Sequence, residues 1–207
     1  QQSRAHGGNA WRMSHNNYRP NLYRLLDLTG HLVWDENRDL KESGLRAMQR
    51  MLWGHRNHPS IQMWSLCNEI ECTSGFNRSG TTSSTRFIHN RTTYGQFRQL
   101  VTEMDPYRPV SGNMWAEFGP GTLSDFLDVQ GISHPPTSEL QGIHELPNPK
   151  PVIRSECCSC QSQRGENYRV APPHGKPPPN ATDLHYGAFN GDCLQEIVNI
   201  TLELPYV

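Results

Sequence analysis

Two glutamates directly follow apolar, strand-like runs in the sequence. Glu69 comes after "IQMWSLCN" and Glu156 comes after "PVIRS". Two carboxyl groups that flank one substrate can act as general acid and as nucleophile or base, which is what the cleavage of a glycosidic bond requires. A separation of roughly 5–5.5 Å between them predicts retention of configuration, and a wider one predicts inversion. Residue type alone does not demand this role, because glutamates at strand ends are commonly solvated or structural.

Other polar residues recur where apolar runs end. They are His15, Asp35, Glu36, Asn68, Asn113 and His134. In a barrel of parallel strands such ends converge on one face, where active sites lie. We therefore expect these residues to share a pocket rim with the two glutamates. For Asp35 and Glu36 we favour structural roles as partners of arginines, and Trp34 and Trp115 could either stack on a sugar ring or fill the core.

The spacing of apolar residues predicts six strands that alternate with helices. The strands are expected over 9–15, 31–36, 61–69, 108–114, 128–134 and 150–158, and the helices over 21–30, 42–54 and 93–105. In the first helix we expect Leu22, Leu25, Leu26 and Leu28 at helical spacing and Gly30 as the C-terminal cap. Strand–helix alternation predicts an α/β fold with a parallel sheet. Because no GxGxxG motif opens a helix, a (β/α)8 TIM barrel fits better than a dinucleotide-binding fold, and about six of its eight strands are identifiable.

Composition restricts the class of protein. The 207 residues carry 19 Lys+Arg against 20 Asp+Glu, so no nucleic-acid partner is indicated. No run approaches the roughly 18 apolar residues of a membrane-spanning helix. The hydrophobic fraction is 34%, with 16 Pro and 17 Gly. Such a polar chain indicates extensive loops, or core-forming structure outside these residues.

Cysteines and glycosylation signals bear on the compartment. Four N-x-S/T triplets, at Asn77, Asn90, Asn180 and Asn199, favour a secreted or endomembrane protein over a cytoplasmic one. In that setting some of the six cysteines are expected to pair. Three of the six follow Glu156 closely, at 157, 158 and 160. For these we favour buried thiols or disulfides over a metal site, since no histidine stands at ligand spacing.

Six segments of the sequence, taken in their order along the chain, carry a resemblance to a known family. They read "NAWRMSHN", "HLVWDEN", "RNHPSIQMWSLCNEIE", "DPYRPV", "FLDVQGIS" and "KPVIRSE". Together, over roughly residues 8 to 169, they resemble glycoside hydrolase family 2, most closely its β-galactosidase-like members. The resemblance implies a retaining exo-β-glycosidase with a TIM-barrel catalytic domain, acting through a covalent glycosyl-enzyme. It implies that Glu69 is the acid/base and that Glu156 is the nucleophile.

The same resemblance implies a set of substrate-binding residues. Arg12 matches the family arginine that lies against the nucleophile, where a cation would keep Glu156 ionised. Asn68 matches the residue that binds the sugar 2-hydroxyl. His15 matches a histidine that contacts substrate, with a purely structural histidine as the alternative. His134 stands where relatives commonly have an aromatic residue, typically tyrosine, near the nucleophile.

We expect two regions: residues 1–170 as a partial barrel domain, and 171–207 as a Pro-rich extended segment with a C-terminal tail. Two barrel strands are missing, so the chain is expected to be one segment of a larger protein or assembly, with a β-galactoside or related carbohydrate as its ligand. The alternative function is a non-catalytic carbohydrate-binding or structural subunit derived from a glycosidase. Glycoside hydrolysis requires no cofactor, although some relatives bind a divalent cation. No HxH or HExxH grouping occurs, so no metal site is predicted.

Overall fold

A computed structural model describes residues 2–5, 7–73, 90–134, 137–156, 198–199 and 201–204. Its centre is a sheet of six parallel strands in the spatial order β1-β2-β3-β4-β5-β6, which is also their order along the chain. The strands are β1 Ala10–Met13, β2 Leu32–Glu36, β3 Ile61–Asn68, β4 Val110–Met114, β5 Val129–Ser133 and β6 Val152–Glu156. All six predicted strands are therefore present, and they form part of a TIM barrel as expected.

Helices connect most neighbouring strands. They are a short α1 Gln2–Ala5, α2 Pro20–Thr29, α3 Glu42–His55, α4 Arg91–Met104 and α5 Thr137–His144, with 3₁₀ turns at Glu69–Cys72 and Leu123–Phe126. Gly30 ends α2 in the left-handed conformation, at φ 65°, as the sequence predicted. Asn90 begins α4, where its side chain accepts a hydrogen bond from the Thr93 amide.

The register of the sheet aligns the strand ends that carry polar residues. Met13 pairs with Asp35, Glu36 with Ser65 and Asn68 with Asn113. Ser133 pairs with Glu156. Most of these positions lie at or near the carboxyl ends of parallel strands, and the side chains of Glu36, Asn68, Asn113 and Glu156 meet at one face of the half-barrel.

The core lies between the sheet and its helices. Its largest fully buried side chains include Trp64, Tyr23, Phe97 and Met48. On the other side of the sheet, Trp34 lies against Gly131, where an added Cβ would come within 2.7 Å of the indole ring. A side chain at position 131 would thus displace Trp34, which is 7% exposed and fills buried space on that side of the sheet, next to Arg12, so its ring is not open to a sugar.

Two features of the helices go beyond what the sequence indicated. Leu25 and Leu28 do not face the core, since they are 54% and 86% exposed. The buried stripe of α2 runs instead through Tyr23 and Leu26, because the tyrosine hydroxyl reaches a buried carboxylate on β2. Helix α5 was not predicted at all. Its sequence, "TSELQGIH", offers only Leu140 and Ile143 as buried apolar side chains among the residues of described burial.

The C-terminal residues of the described structure return to the sheet. Leu204 packs on the small cluster of Ile132, Leu140, Ile143 and Val152. Arg154 donates a hydrogen bond to the Thr201 hydroxyl at 3.0 Å. The predicted division at residue 170 falls outside the described residues and stays a prediction. Within the described residues, no helix has the length and apolar character needed to cross a membrane.

Candidate active site

Arg12, on β1, connects two carboxylates. Its Nε and Nη2 atoms bind both oxygens of Glu36, at 2.8 and 2.9 Å, in a bidentate pair. Its Nη1 atom lies 2.5 Å from Oε1 of Glu156. The side chain of Glu36 is fully buried and that of Arg12 is 10% exposed. Glu36 thereby fixes the guanidinium, and the guanidinium fixes one oxygen of Glu156.

Two asparagines extend this network across the neighbouring strands. The Asn68 Oδ1 atom accepts hydrogen bonds from Arg12, at 2.6 Å, and from the Asn113 amide, also at 2.6 Å. The same Asn113 amide lies 3.3 Å from Oε1 of Glu156, and its own Oδ1 accepts from the Ser155 hydroxyl. These hydrogen bonds determine the orientation of the oxygen and NH₂ ends of both side-chain amides relative to Glu156.

Glu156 is held as an anion. A hydrogen bond from His134 lowers its pKa most, burial opposes that effect, and Arg12 lowers it further, to about 2. His134 Nε2 lies 3.0 Å from Oε2, so the histidine and the arginine bind different oxygens of the carboxylate. The side chain is 26% exposed, which leaves it accessible to a substrate.

Glu69 lies on the opposite side of the same small space. It begins the 3₁₀ turn after β3 with a left-handed backbone, at φ 47°, which re-aims its side chain relative to the strand. Ser133 donates a hydrogen bond to its Oε1 at 2.5 Å, and His134 Nε2 lies 3.7 Å from the same oxygen. An oxygen of Glu69 and an oxygen of Glu156 lie within 4.8 Å of each other. This upper limit is nearer to the roughly 5–5.5 Å between the carboxyl groups of retaining glycosidases than to the roughly 6.5–9.5 Å of inverting ones.

His15 lies at the edge of this network. Its Nδ1 atom is 3.2 Å from Glu36 Oε1 and 3.4 Å from Arg12 Nη2. The hydrogen bond to Glu36 raises the pKa of His15, while burial and the nearby Arg12 lower it by less. The ring is about one third exposed, so one side of it remains open to a ligand.

The structure brings all six predicted site residues to one face: Arg12, His15, Asn68, Glu69, His134 and Glu156. Sequence reasoning placed Glu36 and Asn113 at the pocket rim without their hydrogen-bond partners, and it missed Ser133 and Ser155. Glu36 does pair with an arginine, as expected, but that arginine is at the site. For Asn113 the sequence did contain a signal of a place at the site, because this residue lies near the end of a predicted strand. The two serines carried no signal, because serine is common in strands and loops alike.

Other predicted residues lie away from this face or outside the described structure. Asp35 is buried and binds the Tyr23 hydroxyl and His55 Nδ1, at 2.8 and 2.7 Å, which is a structural role as expected. Cys67 and Cys72 form a disulfide beside the turn that carries Glu69. Asn90 and Asn199 are exposed, and their glycosylation stays a prediction. Asn77, Asn180 and the cysteines at 157, 158, 160 and 193 lie outside the described residues.

Comparison with curated proteins finds β-glucuronidases. The chain is 27% identical to a β-glucuronidase of Canis lupus familiaris over 184 residues, covering 72% of this chain and 25% of that protein. It is 29% identical to a putative β-glucuronidase of Formosa agariphila over 115 residues, covering 51% of this chain and 13% of the relative. The chain thus spans a quarter or less of these curated relatives.

Solved structures share the fold. A β-glucuronidase from an uncultured Clostridium sp. superposes with a TM-score of 0.69 at 21% identity, covering 99% of this chain and 37% of that one. A family 2 β-galacturonidase from Eisenbergiella tayi, bound to galacturonate, gives a TM-score of 0.68 at 23% identity, with 98% and 36% coverage.

A family model matches the centre of the chain. Residues 37–116, which include β3, the Asn68–Glu69 pair and β4, match the model described as the TIM barrel domain of glycosyl hydrolases family 2. This stretch contains "RNHPSIQMWSLCNE", the segment that carried the sequence resemblance most specifically. Its match and the six-stranded half-barrel agree on the same architecture, so the chain is similar to part of the TIM barrel domain of glycosyl hydrolases family 2.

Proposed function

We propose that the protein containing this chain is a retaining exo-β-glycosidase, with Glu156 as nucleophile and Glu69 as acid/base. One observation carries the proposal: two carboxyl groups within 4.8 Å of each other, of which Glu156 is bonded to Arg12. Arg12 and His134 favour the ionised form of Glu156, as a nucleophile requires. Glu69 instead accepts from the neutral hydroxyl of Ser133. The asymmetry supports this division of roles.

The reaction then proceeds in two displacements. Glu156 attacks the anomeric carbon while Glu69 gives its proton to the glycosidic oxygen, so that the bond to the aglycone breaks and the aglycone leaves as an alcohol. Glu69, now a carboxylate, takes a proton from water, and the water oxygen attacks the anomeric carbon. The ester bond to Glu156 breaks, and the sugar is released with its configuration retained.

The remaining residues would position the sugar. Arg12 and Asn113 both donate to Asn68 Oδ1, so the NH₂ half of the Asn68 amide is the part that would meet a sugar hydroxyl. A hydrogen bond to the 2-hydroxyl strengthens in the transition state, which supports this role for Asn68. His15, on the other side of Arg12, would contact the sugar through its exposed edge.

For the substrate, the sequence resemblance favoured a β-galactoside. The relatives found by comparison are instead named β-glucuronidases and a β-galacturonidase. We therefore propose a β-hexuronide, with a β-glucuronide as the first candidate.

The test is hydrolysis of 4-nitrophenyl β-glucuronide, β-galacturonide and β-galactoside by the full-length protein. We expect turnover of the glucuronide by the wild-type protein. The rate should be at least about 10³-fold lower in Glu156→Gln because the nucleophile is gone. Glu69→Gln is expected to lose less activity on 2,4-dinitrophenyl glycosides than on 4-nitrophenyl glycosides, since a good leaving group needs little protonation. Exposed Glu103→Gln serves as the matched control and should be unaffected.

A non-catalytic carbohydrate-binding subunit is the second candidate, and the position of His134 favours it. The imidazole lies between the carboxyl groups, 3.0 Å from Glu156 and 3.7 Å from Glu69, where a sugar would have to enter. Binding of a β-glucuronide with no turnover of any glycoside in the panel would select this function and contradict catalysis.

A further inference from the structure

We infer that Glu69, His134 and Glu156 form a binding site for one divalent transition-metal ion of the zinc type. Each residue offers one ligand atom, and the three atoms lie within 4.8 Å of one another. Two carboxylates with one imidazole, leaving a position for water, is a donor set that suits Zn²⁺. No motif in the sequence indicates this site, because its three ligands come from three separate strand ends.

The distances fit a metal after small side-chain rotations. Ligands about 2.0–2.2 Å from a tetrahedral ion lie roughly 3.3–3.6 Å from each other. His134 Nε2 lies 3.0 Å from Glu156 Oε2 and 3.7 Å from Glu69 Oε1, on either side of that value. The His134 amide also donates to the Glu156 carbonyl at 2.7 Å, so the backbones of two ligands are joined directly.

The neighbouring residues still allow the ligand atoms of Glu69, His134 and Glu156 to bind an ion. Arg12 occupies Oε1 of Glu156, so Oε2, the oxygen beside His134, can bind the ion while the arginine contact persists. The Ser133 hydroxyl, bonded to Glu69 Oε1, would orient that carboxylate from the second shell. The three side chains are between 16% and 31% exposed, which gives an ion access and leaves room for water.

Charge also favours a dication. The single charge of Arg12 is shared between Glu36 and Glu156, and Glu69 adds a third carboxyl group to the same space. The site thus holds three carboxyl groups against one guanidinium, and this excess of acidic oxygens favours a dication such as Zn²⁺.

Such an ion would inhibit the proposed glycosidase, and this consequence alone rests on the proposed function. It would occupy both Glu69 and Glu156, so neither could act on a glycoside. We expect added Zn²⁺ to inhibit glucuronide hydrolysis competitively and a chelator to restore it. The binding itself is independent of any activity.

The test of binding is titration of the metal-free full-length protein with Zn²⁺ by calorimetry and with Co²⁺ by visible absorption. We expect one ion per chain at this site and cobalt d–d bands without a thiolate charge-transfer band, which excludes the cysteines as ligands. His134→Phe and the isosteric Glu69→Gln should each weaken binding at least about 100-fold, since second-shell changes alone cost about 10–100-fold. His144→Phe, at an exposed histidine of α5, is the matched control and should bind normally.

The outcomes separate the two proposals. No saturable binding, a thiolate band, or unchanged affinity in both His134→Phe and Glu69→Gln overturns the metal site, whether or not glycosides are hydrolysed. Metal binding that is lost in both variants, in a protein that hydrolyses no glycoside, supports the metal site and contradicts the glycosidase alone. Circular dichroism of each variant establishes that it is folded.

Discussion

At the scale of residues, the site depends on which groups bind the two oxygens of the Glu156 carboxylate. Arg12 holds one of its oxygens and His134 the other. The sequence resemblance could predict that these residues meet, because each ends a strand of the same barrel. It could not predict that Glu36 would anchor Arg12 or that Ser133 would bind Glu69. Such partners depend on rotamers and on the left-handed backbone at Glu69 and His134, at φ 47° and 48°, which no local pattern signals.

His134→Phe is expected to move the acidic limb of kcat/KM to higher pH. The histidine hydrogen bond is the largest cause of the lowered pKa of Glu156, about 2, and phenylalanine keeps the ring but removes the donor. The pKa of Glu156 then rises towards its ordinary value, and less of the free enzyme is ionised at acidic pH. The measurement is the pH profile of kcat/KM for an aryl glycoside in the proposed enzyme. His144→Phe should leave the limb in place, and an unshifted limb in His134→Phe would refute the argument.

At the scale of elements, the turn between α4 and β4 holds the opposite end of the half-barrel. Asp105, 5% exposed, accepts hydrogen bonds from Trp64 Nε1, at 3.0 Å, and from Arg108. Arg108 also donates to the carbonyls of Ile61, Arg56 and His58. One carboxylate thus orients an arginine that connects α3, β3 and β4. The sequence predicted these elements from their periodicity but not this junction, which depends on long-range contacts.

Asp105→Asn is expected to lower the free energy of unfolding by about 1–3 kcal/mol, because Arg108 loses its charged partner. Burial raises the pKa of Asp105, but hydrogen bonds from Arg108 and Trp64 outweigh it, so the pKa is lowered on balance. The stabilisation is therefore present above the ordinary aspartate pKa and is lost as pH falls through the lowered one. Urea unfolding of the full-length protein at pH 7 and at acidic pH measures both effects. Exposed Glu103→Gln should change the unfolding free energy by less than about 0.5 kcal/mol, and a difference from wild type that persists at acidic pH would contradict the pH argument.

Helix α5 shows a limit of sequence reasoning at this scale. The sequence "HPPTSELQGIH" places two prolines directly before Thr137, and proline is favourable at a helix start. That signal was available, but eight residues with two clearly buried apolar positions give too short a periodicity to separate a helix from a loop. Its contact with β5 and β6, through Ile132 and Val152, is what the structure adds.

At the scale of the whole molecule, the six strands follow one another in space as they do in sequence. This order was predictable, because strand–helix alternation builds parallel neighbours. A barrel was favoured over a dinucleotide-binding fold because no GxGxxG motif opens a helix, and the family resemblance implied the same architecture. Among the described strands, β1 and β6 each pair with one neighbour. The chain covers 37% of the Clostridium β-glucuronidase.

The most direct test of the central claim is to trap the proposed glycosyl-enzyme. The full-length protein would be incubated with a 2-deoxy-2-fluoro-β-glucuronyl fluoride, digested, and its labelled peptide identified by mass spectrometry. The C2 fluorine slows both displacements because each has an oxocarbenium-like transition state, and the fluoride leaving group keeps the first one fast, so we predict one sugar per chain attached to Glu156 and no labelling of Glu156→Gln. A label on a different residue, or rapid turnover of β-glucuronides by Glu156→Gln, would contradict the assignment of Glu156 as nucleophile.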